Sequence, residues 1–219
     1  MAYDLEEQEQ IATLKSWWEQ YGNLVMLAAT AALLTIAAFQ GWRYYRHTQT
    51  VAALALYEQL ERAQRGAEHK KVVDIAVQIV GRYGSTPYGV MAALSSARAA
   101  FTSGDLAAAK TQLRWVLENA RDDESRDLAR LRLAGVLLDE KNFPEALALL
   151  EAKAVESLTG LYAEMKGDIL AAQGRNAEAR SAYQLALDKS ESGSTYRATI
   201  QLKLDALGEP APGSTTSGK

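Results

Sequence analysis

The 219-residue sequence contains no cysteine, only two histidines and only four prolines. The lack of cysteine excludes a disulfide framework, a thiol nucleophile, a thiolate-ligated metal site and a lipid-modified cysteine. His47 and His69 alone leave little for imidazole catalysis or for metal ligation. Because proline is scarce and long stretches are rich in Ala, Leu, Glu and Arg, we predict a chain that is almost wholly helical.

Motifs of catalysis and phosphate binding are also missing: there is no glycine-rich phosphate loop, no His-Glu-x-x-His helix and no Gly-x-Ser-x-Gly elbow. The acidic cluster Asp122-Asp123-Glu124 has Arg121 and Arg126 beside it, a pattern typical of a solvated turn between repeats. The net charge is -3, and no segment concentrates the positive charge that nucleic acids attract. We therefore predict a protein that is not an enzyme and has no cofactor, no metal, no small-molecule substrate and no nucleic-acid partner.

The first strong pattern is a stretch without charge, from Gln20 to Trp42. As a helix it would span roughly 34 Å, enough for a hydrocarbon core of about 30 Å. Aromatic residues that favour the membrane interface flank it on both sides: Trp17, Trp18, Tyr21, Trp42, Tyr44 and Tyr45. We predict a single transmembrane helix over residues 21–45 after an acidic leader over residues 1–20, and we expect Thr30 and Thr35 to bond to carbonyls of their own helix. A buried helix of a soluble protein fits less well, because such helices seldom run so far without charge. A cleaved signal peptide also fits less well, because the leader is acidic and no small-residue cleavage site follows.

The charges beside this helix leave its orientation open. Lys15 precedes it, whereas Arg43, Arg46 and, further away, Arg62 follow it, so a count of basic residues places the C-terminal part in the cytoplasm. That rule loses force for long translocated domains, and the part in question is about 170 residues long.

A recurring frame of small residues follows. Ala63, Ala97, Ala134 and Gly167 are separated by 34, 37 and 33 residues, which is close to the tetratricopeptide period. Twelve residues after each lies a second position, where the second helix of an antiparallel pair would approach the first closely. It holds alanine in every repeat except the first, which has Ile75. The packing positions of this frame are Ala63, Ala97, Ala109, Ala134, Ala146, Gly167 and Ala179.

The predicted fold class is all-α: one transmembrane helix, then a tetratricopeptide-like solenoid of about four helix pairs over residues 46–207. Turn signals at 103–105, 140–142 and 173–175 separate the two helices of three pairs. The segment Thr195 to Leu207 has the apolar spacing of a capping helix, and residues 208–219 have the composition of a disordered tail. No glycine or proline lies between Trp42 and Arg65, so the membrane helix is predicted to run into the first repeat helix. An arbitrary helical bundle is the alternative.

Repeat arrays of this kind bind peptides along the surface that their first helices form. Arg98, Phe101 and Asp168 are the most informative candidates, because polar or aromatic side chains have less reason to be core, whereas each leucine is better explained by packing. The candidate groove positions are Met91, Leu94, Arg98, Phe101, Leu131, Leu138, Leu161 and Asp168.

With anchor and repeats together, the chain resembles the YfgM family, the ancillary tetratricopeptide-like subunit of the bacterial SecYEG translocon. The resemblance is carried by Trp17-Trp18, by Gly41-Trp42-Arg43-Tyr44, by Leu131-Arg132-Leu133-Ala134 and by the segment from Gly174 to Ala186. It implies a protein of the bacterial inner membrane with its N-terminus in the cytoplasm and its repeat domain in the periplasm. It further implies binding to SecYEG together with a PpiD-type chaperone, and help in passing emerging chains to periplasmic chaperones. A holdase that grips unfolded segments and a cytoplasmic-facing scaffold stay open as alternatives.

Overall fold

The computed structural model describes residues 3–190 and 195–208, apart from the side chains of residues 3–10 and 13. Within these residues the chain forms nine α-helices and one short 3₁₀ helix, and no strand. Its internal contacts divide it into two units, Met1–Val51 and Ala52–Lys219, which are described one after the other. Helix α1, Tyr3–Arg65, contributes to both and is unbroken, as the lack of glycine and proline after Trp42 predicts.

In the first unit, α1 carries a long apolar surface. Among the described helices it is the one that is long and apolar enough to cross a membrane, and only 6% of its most apolar stretch is buried within the protein. A core helix of a soluble protein would instead be mostly buried. The hydroxyls of Thr30 and Thr35 donate to the carbonyls of Met26 and Ala31, each at 2.8 Å, which confirms the prediction for these threonines.

The second unit is built from helix pairs that pack on their neighbours in sequence, the arrangement of a solenoid. The end of α1 packs on α2 through Leu60 and Ala63, and the pairs α3–α4, α5–α6 and α7–α8 follow before a last helix, α9. The predicted all-α fold of four pairs and a cap is confirmed. The helices are α2 His69–Tyr83, α3 Pro87–Thr102, α4 Leu106–Asn119, α5 Asp123–Asp139, α6 Phe143–Leu149, α7 Thr159–Ala172, α8 Asn176–Asp188 and α9 Thr195–Ala206, with the 3₁₀ helix at Glu156–Leu158.

Small residues lie where the helices of a pair approach most closely. All seven packing positions of the repeat frame are buried. One tight approach is at Gly167, where a Cβ atom would lie 2.5 Å from the ring of Tyr183. A side chain at this position would therefore force the two helices apart.

The turns within the pairs lie where the turn signals predict them. Gly104 and Gly174 adopt φ values of +83° and +74°, a region that favours glycine, and Lys141 takes the equivalent place in the third pair with φ +61°. Asp105 caps α4, because its carboxylate accepts a 2.9 Å bond from the backbone N–H of Ala108.

The third pair departs from the regular repeat. Helix α6 has seven residues, ends at Leu149 and has Leu150 as its C-cap. The chain then runs without helix to the 3₁₀ turn at Glu156–Leu158. The second helix of this pair, α6, is therefore shorter than α4 and α8, the second helices of the neighbouring pairs.

A buried carboxylate on α5 holds the irregular segment. Asp127 is 2% exposed, and its Oδ2 accepts from the backbone N–H of Val155 at 2.8 Å. Its backbone carbonyl accepts a 2.9 Å bond from the hydroxyl of Tyr162, and Arg130 pairs with its carboxylate. Burial, and then the negative charge of Asp127, raises the pKa of Tyr162 to about 12. The helix period contains no signal for this contact across 28 residues of chain.

Helix α9 packs on α8 as the predicted cap does. Ile200 and Leu204 are buried in the cluster that contains Ala179 and Tyr183. Arg197 and Arg180 donate to the carbonyls of Leu187 and Gly208. The predicted disordered tail, apart from its first residue, lies outside the described residues.

Candidate functional site

A cavity of about 430 Å³ lies between α3, α5 and α7. Side chains three, four or seven residues apart on one helix lie on the same face, so Arg98 and Phe101 of α3 and Arg132 and Asp139 of α5 reach the same space. The cavity is lined by Ala97, Arg98, Phe101, Leu113, Arg132, Gly135, Val136, Leu138, Asp139 and Met165.

Small side chains leave the space open. Ala97 and Gly135 line the cavity with at most one methyl group each, and a Cβ atom at Gly135 would lie 3.4 Å from the terminal methyl of Met165. The Phe101 ring, 42% exposed, stands at the edge of this space. The cavity therefore offers apolar surface that is accessible from outside.

A second cavity, of about 420 Å³, adjoins the first at Arg98, which lines both. Its lining residues are Gln64, Arg65, Ala67, His69, Val72, Ser95, Arg98, Ala99 and Thr102. We refer to the two cavities together as the groove. It combines apolar walls with three arginines and one histidine.

Arg98 and Arg132 give the groove an uncompensated positive charge. Within residues 3–190 and 195–208, neither guanidinium forms an ion pair with a carboxylate. Burial, and then the positive charge of Arg98, lowers the pKa of Arg132. On α4, by contrast, Lys110 is paired with Glu140 at 2.7 Å and Arg114 with Glu145 at 3.0 Å.

Of the groove positions predicted from the sequence, Arg98, Phe101 and Leu138 meet at the first cavity. Met91 is exposed but lines neither cavity, and Leu94 is half-buried against the core between the repeats. A partner contact at any of these positions stays a prediction.

The other three predicted positions lie elsewhere. Leu131 and Leu161 pack with Leu158 and Tyr162 beside the irregular segment. Asp168 is half-buried and accepts from Lys203 at 2.7 and 2.8 Å and from the hydroxyl of Tyr183 at 2.7 Å. The charge of Asp168 is thus already compensated within the chain.

The chain is similar in sequence to known proteins. A family model described as "Tetratricopeptide repeat-like domain" matches residues 15–209. A protein of Neisseria gonorrhoeae named "Ancillary SecYEG translocon subunit" is 33% identical over 216 residues, which cover 94% of this chain and 100% of the relative. The chain belongs to the family of ancillary SecYEG translocon subunits. Members with the same name from Haemophilus influenzae and Escherichia coli are 30% and 25% identical, covering 94% and 92% of this chain and 100% and 96% of the relatives.

Solved structures support the fold of this family member. The structure titled "MamA 41-end from Desulfovibrio magneticus RS-1" aligns with a TM-score of 0.54 at 17% identity, over 71% of this chain and 92% of that one. A second, "MamA RS-1 ArsTM double mutant", aligns with a TM-score of 0.53 at 18% identity, over 71% and 93%. At this identity the likeness concerns the helical architecture alone.

A polar cluster joins α9 to α7 in this member of the family. Lys203 donates to Glu164 at 2.7 Å and to both carboxylate oxygens of Asp168. Burial lowers the pKa of Lys203, but the hydrogen bonds to Asp168 and Glu164 outweigh it and the net shift is upward. Burial, followed by the bond to Asp168, raises the pKa of Tyr183. The nearby Tyr196 hydroxyl is buried, and no atom of the described residues meets hydrogen-bond geometry with it.

The six aromatic side chains around the apolar stretch are all exposed, from 43% for Tyr21 to 75% for Tyr44. The rings of Trp17 and Tyr21 lie 5.7 Å apart, and those of Trp42 and Tyr45 lie 6.5 Å apart. Their placement at a membrane interface stays a prediction.

Several groove residues were not singled out from the sequence as groove positions. Arg132, Gly135 and Asp139 are three, then four, residues apart, and this spacing on α5 could have placed them on one face. Met165 on α7 carries no comparable signal, because a methionine within an apolar helix is typical of core packing. Across the described residues, no group of three or more His, Asp or Glu side chains could hold a metal ion.

Proposed function

We propose that this protein is a membrane-anchored, non-catalytic adaptor of the SecYEG translocon. Its groove would contact a protein partner, linking SecYEG with a PpiD-type chaperone and helping to hand secreted chains to periplasmic chaperones. The observation that carries the proposal is the accessible apolar groove with an exposed aromatic ring at its edge. The name and full-length similarity of the relatives point to the translocon as the place of action.

We further propose a single pass through the bacterial inner membrane, with the N-terminus in the cytoplasm and the repeat domain in the periplasm. Support comes from the exposed apolar stretch of α1 and from the relatives, against the count of basic residues. The test fuses a reporter after Leu207, using alkaline phosphatase, which is active only in the periplasm, and green fluorescent protein, which fluoresces only in the cytoplasm. We expect phosphatase activity without fluorescence. Fluorescence without phosphatase activity would instead support the cytoplasmic-facing scaffold.

Site-specific photo-crosslinking separates an adaptor from a holdase. A crosslinking residue replaces Phe101 in the full-length protein, and the matched control replaces Val77, which is 54% exposed and lines neither cavity. An adaptor gives discrete adducts with SecYEG components and a PpiD-type chaperone from position 101 and few from position 77. A smear of secretory precursors from position 101 would favour the holdase and overturn the adaptor.

A further inference from the structure

The first cavity is both apolar and positively charged, and this combination restricts what can fill it. The side chains of Phe101, Leu138 and Met165 contribute apolar surface, while Arg98 and Arg132 place two guanidinium groups at the same cavity. A purely apolar segment would leave the guanidiniums without partners. A purely anionic ligand would leave the apolar surface in water.

The charge balance around the cavity favours an incoming carboxylate. Asp139 is the one carboxylate among the described lining residues, and it is not within ion-pair distance of either arginine. The second cavity adds Arg65, which pairs with Glu61 at 3.8 Å, and no carboxylate among its described lining residues. At the first cavity, two arginines therefore stand against a single carboxylate.

Several cations outside the groove are paired with carboxylates. Lys110, Arg114 and Lys203 each have a carboxylate at 3.0 Å or less. Arg132 instead has Arg98 as the charged neighbour that influences its pKa. Guanidinium groups match carboxylates in a bidentate geometry, and they do so most strongly where water is partly excluded.

We propose that the groove binds an extended peptide segment in which a carboxylate side chain stands next to a large apolar side chain. The carboxylate lies between Arg98 and Arg132, and the apolar side chain lies against Phe101 and Met165. This inference rests on the proposed protein-binding function, to which it adds the chemistry of the bound segment.

The test measures binding of defined peptides to the full-length protein in mild detergent by fluorescence anisotropy. Three labelled peptides share Gly-Ser flanks and blocked ends and differ only in their centre: Glu-Phe-Leu, Gln-Phe-Leu or Glu-Ser-Ser. We expect Glu-Phe-Leu to bind about tenfold more tightly than either of the others, as one charge-assisted contact or one buried apolar pair would give. Equal affinity for the Glu and Gln peptides would overturn the proposal. So would equal affinity for Glu-Phe-Leu and Glu-Ser-Ser, which would indicate a plain anion site.

A charge reversal distinguishes recognition from loss of folding. Arg98→Glu should weaken Glu-Phe-Leu binding at least tenfold and should strengthen binding of a Lys-Phe-Leu peptide relative to the unaltered protein. The matched control is Arg82→Glu, at an exposed arginine of α2 that lines neither cavity and should change neither affinity. Loss of binding to every peptide together with an unchanged melting temperature would contradict the predicted switch of preference.

A parallel measurement keeps this inference separate from the proposed function. The Arg98→Glu variant is captured from native membranes, and its partners are compared with those of the unaltered protein. Capture of SecYEG by the unaltered protein without any Glu-over-Gln preference overturns the peptide chemistry and leaves the adaptor standing. Failure of the unaltered protein to capture SecYEG overturns the adaptor, whatever the peptides show.

Discussion

At the scale of single residues, one close helix contact of the repeat domain depends on a missing side chain. Gly167 is buried, and its backbone lies directly against the ring of Tyr183, whose hydroxyl reaches Asp168 at 2.7 Å. The repeat frame predicts small residues at Gly167 and at the facing Ala179, which lies one turn before Tyr183. The contact explains why Gly is accepted inside α7 despite its low helix propensity.

Gly167→Ala should therefore lower the free energy of unfolding by about 1–3 kcal/mol, because the new methyl group meets the Tyr183 ring at 2.5 Å. The control is Gly81→Ala on α2, where a Cβ atom meets nothing within 4 Å. That substitution should raise the stability by up to about 1 kcal/mol through helix propensity. Urea denaturation followed by circular dichroism measures both, and a shift of the same sign in the two variants would contradict the close contact.

A second residue-scale prediction concerns the buried alanines of the second helices. Ala146→Leu and Ala179→Leu place extra volume at positions with no exposed surface and should each cost about 1–3 kcal/mol or more. Ala148→Leu and Ala177→Leu, at exposed positions of the same two helices, are the controls. Unchanged thermal melting of both buried variants would show that the repeat frame is wrong.

At the scale of helices, capping defines where α5 begins. The Asp122 carboxylate accepts from the backbone N–H of Ser125 at 2.7 Å, and Asp123 pairs with Arg126 in the first turn. The hydrogen bonds from Ser125 lower the pKa of Asp122, and they outweigh the small opposing effect of burial. The acidic cluster thus has the structural role in a turn between repeats that its flanking arginines indicate.

Asp122→Ala should lower the free energy of unfolding by about 1 kcal/mol near pH 7. Since the pKa of Asp122 is lower in the folded state, the stabilisation is present above the ordinary Asp pKa of about 3.9 and is lost as the pH falls through the lowered value. The difference between variant and unaltered protein should therefore shrink towards pH 3 in urea titrations. Asp122→Asn, which keeps a capping side chain, should lose little stability at pH 7. A difference for Asp122→Ala that is constant from pH 7 to pH 3 would exclude the charged cap.

The attachment of α9 depends on polar contacts as well as on apolar packing. Lys203→Met leaves Glu164 and Asp168 together without their shared cation and should destabilise the cap by about 1–3 kcal/mol. Limited proteolysis should then cut near the start of α9 sooner than in the unaltered protein. Lys189→Met is the control, because its partner Glu156 is 84% exposed and the pair should contribute nothing measurable. Equal proteolysis of the two variants would mean that apolar packing alone holds α9.

At the scale of the whole molecule, the long apolar stretch of α1 is the basis of the proposed membrane anchor. The stretch from Leu24 to Phe39 holds eight large apolar residues. Each favours insertion by roughly 0.3–0.6 kcal/mol, so the total is a few kcal/mol. An arginine at the centre of such a helix costs about 2.5–3.5 kcal/mol, so two of them outweigh the whole gain.

Leu27→Arg combined with Leu33→Arg should therefore move the protein from the membrane fraction to the soluble fraction or abolish its accumulation. The unaltered protein should stay with sedimented vesicles after alkaline extraction. Leu202→Arg, at a position of α9 that is 70% exposed, should not change the distribution. Release of the unaltered protein by alkali would remove the membrane anchor from the proposal.

Much of the fold is predictable because it repeats. The spacing of Ala97, Ala134 and Gly167 and the turn signals between helices are local features, and each helix contacts mainly its neighbours in sequence. The irregular third pair is not predictable in this way. It involves Asp127, whose hydrogen-bond donor, the backbone N–H of Val155, lies 28 residues away. The side chain of Val155 is apolar and gives no sign of this contact in the sequence.

The residues of the groove were likewise only partly predictable from the sequence. Arg98, Phe101 and Leu138 were candidates because of their residue types and their place on first helices, and they do meet at one cavity. Asp168 met the same criteria, yet it faces Lys203, which is distant in sequence and belongs to the capping helix. The type of a residue and its position on a helix do not show whether its charge is unpaired or already forms an ion pair with a residue on a distant helix.

The amino-acid sequence by itself therefore determined the apolar helix, the helix pairs and the small residues between them. These features depend on composition and on the short spacing of residue types along the chain. Only the packed structure decided which arginines stay without carboxylates and which charges join α9 to α7. Those outcomes depend on distances between segments far apart along the chain, and no local period encodes such distances.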